Sequence, residues 1–137
     1  MTASDDRLTG GPLNAAIANE IGKLIADFTG RGATKSRAFL YQDVVVCLLE
    51  DGATKAEINL VAAGRDELVR SQRDALQRAM ETQLVAAIER VTGRIVRTFL
   101  SGTSTFGESS VEVFVLQPLV SKSDGTAGLT GGRSALR

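Results

Sequence analysis

The stretch RDELVRSQRDALQRAMETQLVAAIERVT, residues 65–92, decides how the rest of the chain is read. Leu68, Val69, Leu76, Met80, Leu84, Ala87, Ile88 and Val91 recur at steps of three, four and seven, the spacing that lays side chains along one stripe of an α-helix. Asp66, Arg70, Arg73, Asp74, Arg78, Glu81 and Glu89 fall on the opposite, solvated face. Asp66–Arg70 and Asp74–Arg78 stand four apart with the acid first, an arrangement that adds a few tenths of a kcal/mol per pair. Gly64 opens the segment, and Gly93 is placed to close it in a left-handed cap. The expectation is one helix from Arg65 to Thr92, whose apolar stripe requires a partner surface.

Two strand pairs, one on either side, supply that surface. Upstream, Arg37–Tyr41 and Val44–Leu49 flank Gln42-Asp43 as a hairpin. Val44–Leu49 is apolar at every position, so both of its faces are expected to be covered, one by helices and the other by a second subunit. A homodimer is the expectation. Downstream, Arg94–Leu100 and Val111–Leu116 form the second pair, with Val111, Val113 and Val115 inward and Glu112 on a partly wet outer face. Ser101–Ser110 reads as a long, mobile connection rich in Gly, Ser and Thr. Thr54 and Glu57 have the capping-box spacing ahead of a short helix holding Ile58, Leu60 and Val61. Pro12 suits a first helical position, and Leu13–Phe28 follows as an N-terminal helix that stops at the glycines of Thr29-Gly30-Arg31-Gly32.

The order is therefore α-β-β-α-α-β-β. The fold class is α+β, a four-stranded antiparallel sheet packed by the long amphipathic helix and the N-terminal helix. Residues 1–11 read as a mobile leader, 12–118 as one domain, and 119–137 as a disordered Gly/Ser/Thr-rich tail.

Composition narrows the function classes. Sixteen basic residues balance sixteen acidic ones in 137, so no global field draws nucleic acid or an anionic membrane. Aromatics are 4%, with no Trp and one Tyr, which leaves few platforms for stacking bases. The longest apolar run, Val44–Leu49, is far short of the ~18 residues a membrane span needs. The start of the chain is acidic and polar, unlike a signal peptide, and a lone cysteine fits a reducing compartment. A soluble cytoplasmic protein without direct membrane insertion or nucleic-acid partner is expected.

The chain contains no histidine, which removes the usual general base near neutral pH and the commonest metal ligand. A Ser-His or Cys-His nucleophile pair is excluded within one chain, as is a thiolate metal cage. Cys47, inside Val-Val-Val-Cys-Leu-Leu, reads as a small core residue rather than a reactive thiol. Gly30-Arg-Gly-Ala-Thr-Lys35-Ser36 matches a phosphate-binding loop in composition only. Thr34 replaces the second glycine, and the segment runs from helix into strand, the reverse of what the loop needs. Arg31, Lys35 and Arg37, with Arg73, are the candidate anion- or partner-binding residues; solubility of a loop and an edge strand is the simpler explanation of the first three. Glu50, Asp51 and Glu57 are explained by a turn and a cap without a metal, and no cofactor is implied.

The set Gly30-Arg-Gly, Val44-Val-Val-Cys-Leu-Leu-Glu-Asp, Thr54-Lys-Ala-Glu-Ile-Asn-Leu-Val-Ala-Ala-Gly-Arg-Asp-Glu-Leu-Val-Arg, Thr92-Gly-Arg and Val111-Glu-Val-Phe-Val-Leu resembles a family of small bacterial domains, the MpsC-like family. The resemblance covers residues 14 to 118. It implies the soluble partner of membrane transporter subunits in a Na+-translocating, membrane-potential-generating system linked to inorganic-carbon uptake. The family has no assigned catalytic residue, so none is carried over. The expected function is a non-enzymatic accessory or interaction protein. The alternative is a small anion- or ligand-binding module on the Arg31, Lys35 and Arg37 edge.

Overall fold

The computed structural model describes residues 10–30, 35–50, 53–104 and 109–119. Helix α1 (Gly10–Thr29) buries Leu13, Ile17, Ile21 and Ile25, a row at steps of four. Strands β1 (Lys35–Tyr41) and β2 (Val44–Glu50) are joined through Gln42-Asp43, where Gln42 takes the left-handed φ of 54° that tight two-residue hairpins favour. Helix α2 (Lys55–Ala62) opens on the expected capping box. Thr54 Oγ1 accepts the Glu57 N–H at 3.1 Å, and Glu57 Oε1 accepts the Thr54 N–H at 2.8 Å. The leader and tail expected at the two ends lie largely outside the described residues, although Gly10 and Gly11 already belong to α1.

The long rod is not one helix. It divides into α3 (Asp66–Ala79) and α4 (Glu81–Thr92) at Met80, whose ψ of −3° leaves the helical well. Neither Gly nor Pro marks the break, so nothing local announces it. The cause is tertiary: α3 packs on α2 and on the second hairpin, α4 on α1 as well, and Met80 is buried in the core between them. The stripe is also shifted. Leu68 is exposed, while the buried row on α3 is Val69, Arg73 and Gln77, which places Arg73 on the covered face rather than the solvated one. Gly93 closes α4 with φ 71°, as its position requires.

Strands β3 (Val96–Thr103) and β4 (Ser109–Leu116) complete an antiparallel sheet in the order β1-β2-β4-β3. The span expected to be a connection is thus shorter, since Ser101–Thr103 and Ser109–Ser110 are paired strand. The described helices cover one sheet face only. Val45, Cys47 and Leu49 of β2 and Ser110, Glu112, Phe114 and Leu116 of β4 point into that core. The assignment of β4 is therefore inverted: Glu112 is inside, and Val111, Val113 and Val115 are outside. Bulk explains the choice. A one-residue shift would exchange the whole set between faces. Burying Phe114 and Leu116 in place of Val111, Val113 and Val115 removes about two more side-chain carbons from water, about 1.6 kcal/mol at ~0.8 kcal/mol per carbon group. Phe114 also meets Phe99 with ring centroids 5.2 Å apart.

Candidate functional site

Three groups of residues carry the chemistry this fold has to offer, and the first is the polar side chains on the covered face. Glu57, already holding the cap of α2, receives Arg73 through two bonds: Nη2 to Oε1 at 2.8 Å and Nε to Oε2 at 3.1 Å. Both side chains are almost fully buried, Arg73 being 3% exposed. The bidentate fork fixes α3 against α2. One turn on, Gln77 Oε1 accepts the Ser101 hydroxyl at 2.7 Å and the Thr103 hydroxyl at 3.3 Å, tying α3 to β3. Between these helices and β4 lies a void of about 20 Å³, lined by Ile25, Thr29, Arg73, Gln77, Met80 and Ser110. It has room for one water-sized molecule and for no organic substrate.

Glu112 is the exception within this group. It is 0% exposed, and neither carboxyl oxygen has a hydrogen-bond partner among the described residues. Its neighbours across the ladder are Cys47 on β2 and Ser101 on β3, and the Ser101 hydroxyl is directed to Gln77. Burial pushes the Glu112 carboxyl up to about 7, and the nearby Ser101 hydroxyl pulls it back only in part. The same burial, with Glu112 beside it, pushes the Cys47 thiol up to about 12. Cys47 is thus a protonated core residue without nucleophilic character at neutral pH. Sequence reasoning misses Glu112 and Gln77. The signal available for Glu112 is the size of its i+2 and i+4 neighbours, Phe114 and Leu116, which outweigh the flanking valines.

The second group comprises the cationic candidates. Arg31 lies outside the described residues. Lys35 and Arg37 open β1, at one edge of the sheet, and Arg37 stands 3.6 Å from Glu50 across the hairpin. Arg73 is on α3, whose sheet contact is with β3 at the other edge, and its guanidinium is engaged by Glu57. Of the three described candidates, Lys35 and Arg37 share β1 and Arg73 stands apart from them. A further arginine, Arg94, works as a staple: it donates to the Gln42 and Gln117 carbonyls at 2.9 Å and to the Asp43 carboxylate. It thereby joins the β1–β2 turn to the end of β4. Thr92 donates to the Ile88 carbonyl and accepts the Arg94 N–H, so Thr92-Gly-Arg is a structural corner.

The third group is the open sheet face. Its rows run straight across four strands: Tyr41, Val44, Val115 and Thr98; then Phe39, Val46, Val113 and Leu100; then Arg37, Leu48, Val111 and Gly102. Phe39 and Leu100 are half-exposed and Tyr41 is 73% exposed. Among the described residues, the charges of these strands away from the core are Lys35, Arg37 and Glu50 at one end and Arg97, at the β3 register shift beside Thr98, at the other. No described helix lies over this surface, and no described helix is long and apolar enough to cross a membrane. It is a contiguous apolar area, unlike the singly scattered hydrophobic side chains of an ordinary surface.

Compared with the curated proteins and with the solved structures, the chain shows no significant match to either. The model of one protein family, described as Na+-translocating membrane potential-generating system (MpsC), matches residues 9–118, which include every described helix and strand. By that match the chain belongs to the MpsC family.

Proposed function

We propose that this chain is a soluble, cytoplasmic, non-enzymatic component of a Na+-translocating, membrane-potential-generating system, acting as a homo-oligomer through contacts with membrane subunits. The family match over residues 9–118 carries the reading. The distribution of reactive groups supports it. There is no histidine in the chain, the one thiol is buried and held protonated, and the buried guanidinium of Arg73 is matched by a buried carboxylate. What the molecule offers to its surroundings is surface, apolar on the sheet side and charged on the helix side.

The test is co-expression of the full chain with candidate membrane subunits from the same genome, followed by purification in mild detergent. A complex of defined stoichiometry is expected, along with a lowered membrane potential in cells lacking the chain. Recovery of the chain alone, with an unchanged potential, would overturn the proposal. A thermal-shift screen against phosphate, nucleotides and bicarbonate separates the anion-binding alternative. A ligand at a hundred times its Kd adds about 2.7 kcal/mol, which moves the melting temperature by several degrees. Here a flat screen is expected.

A further inference from the structure

We infer that the open sheet face binds the same face of a second copy, making a four-layer helix–sheet–sheet–helix dimer. This deepens the homo-oligomer part of the proposed function and stands apart from the membrane contacts. The first argument is size. Four strands about 4.8 Å apart and seven or eight residues long give a face of about 450 Å² in projection. With the raised side chains counted, two such faces meeting remove on the order of 1,200 Å² from water, the lower end of specific dimers. A patch of this size matches the largest that monomers expose, and such patches are often functional.

The second argument is self-complementarity. A twofold interface requires each copy to carry both halves of every contact. This face has raised side chains in Phe39 and Leu100 and, in the next row, a shallow hollow at Gly102 lined by Leu48, Ser109 and Val111. The row of Phe39, Val46, Val113 and Leu100 carries no charge and the next carries only Arg37, at its β1 end, so the occupant must itself be largely apolar and flat. Sheets packed this way lie ~10 Å apart with interdigitated side chains, a geometry that β-branched valines suit.

The third argument is that the sheet edges are guarded. On β1 the Leu40 N–H is taken by Asn14 Oδ1 at 3.1 Å, and on β3 the Val96 N–H is taken by Glu89 Oε2 at 2.9 Å beside a register shift. Edge-to-edge growth is opposed at both ends, which leaves the face as the surface for a second copy.

Tyr41 is the only tyrosine and there is no tryptophan, so intrinsic fluorescence reports on this face alone. For the full chain, sedimentation equilibrium is expected to give twice the 14.5 kDa monomer mass, with Tyr41 quenching by acrylamide falling several-fold as the dimer forms. Val113→Glu, at the centre of the face, should restore the monomer and full quenching while far-UV circular dichroism and refolding stay intact. Should that variant fail to fold, dilution of the unmodified chain supplies the same comparison. A monomer with exposed Tyr41 at all concentrations overturns the inference. So does a dimer in which Tyr41 stays exposed, or a monomer in which it is protected, since the face would then be unused or covered from within. Any of these leaves a complex with membrane subunits possible, so the two proposals fail separately.

Discussion

The two faces of the sheet are made by alternate residues of the same strands, yet they differ in an unexpected direction. The face under the helices buries polar side chains, Ser110 and Glu112 beside Arg73, Gln77 and Glu57; the face away from them is Val, Leu, Phe and Tyr through its centre, with its charges toward the ends. Polarity therefore does not say which side of this sheet is the inside. Side-chain volume does, because helices leave deep spaces between them that Phe114, Leu116 and Leu49 fill and valines would not. A buried acid is tolerable on that side because it can keep its proton.

The contrast breaks most severely at its largest side chain. Phe114→Ala should cost about 3–5 kcal/mol in denaturant unfolding, whereas Val113→Ala, one residue along and on the open face, should cost under about 1 kcal/mol at concentrations where the chain is monomeric. Equal losses would mean that both faces are covered in the monomer. Next in size is the buried pair. Arg73→Met or Glu57→Met alone should lose about 3–5 kcal/mol, because each strands the partner's charge, while the double replacement should recover most of it. Additive losses in that double-mutant cycle would show that the two side chains do not act as a unit.

Glu112 sharpens the comparison through pH. Its folded-state carboxyl, near 7, is raised above the ordinary 4.5, so the native chain keeps a proton that the unfolded chain releases. The contribution of Glu112 to stability is then fully present below about pH 4.5, declines as the pH rises to about 7, and levels off there, a loss on the order of 3 kcal/mol. Glu112→Gln should abolish that slope and leave the variant more stable than the parent at pH 8, as followed by urea midpoints. A parent midpoint that is level across this window would contradict the buried, unpartnered state. Smallest is Gly22→Ala. A Cβ there would stand 2.8 Å from Ser36 Oγ, which donates to the Ala18 carbonyl, so α1 should lift from β1 at a cost of about 1 kcal/mol. Gly22→Ala with Ser36→Ala should regain part of it.

Much of this architecture is legible in the chain. The hairpin around Gln42-Asp43, the capping box of Thr54 and Glu57, the left-handed cap at Gly93 and the order helix, hairpin, helices, hairpin all follow from spacings within a few residues. So does the double apolarity of Val44–Leu49, which announces two demanding faces. The candidate cations behave differently. Arg73 reads as solvated because its neighbours Arg70 and Asp74 are charged, and only its partner sixteen residues earlier, Glu57, makes a buried position bearable. No local rule connects those two residues.

By itself, the sequence determined which segments are helical and which are strands, the caps and turn that bound several of them, and that no histidine chemistry is available. These depend on hydrogen bonds and periodicities that close within a turn or a hairpin. Tertiary structure alone decided the strand order β1-β2-β4-β3, the break at Met80, the pairing of Arg73 with Glu57 and the inward turn of Glu112. Each of these is settled by which volumes and charges meet across layers, and distance along the chain carries no record of that.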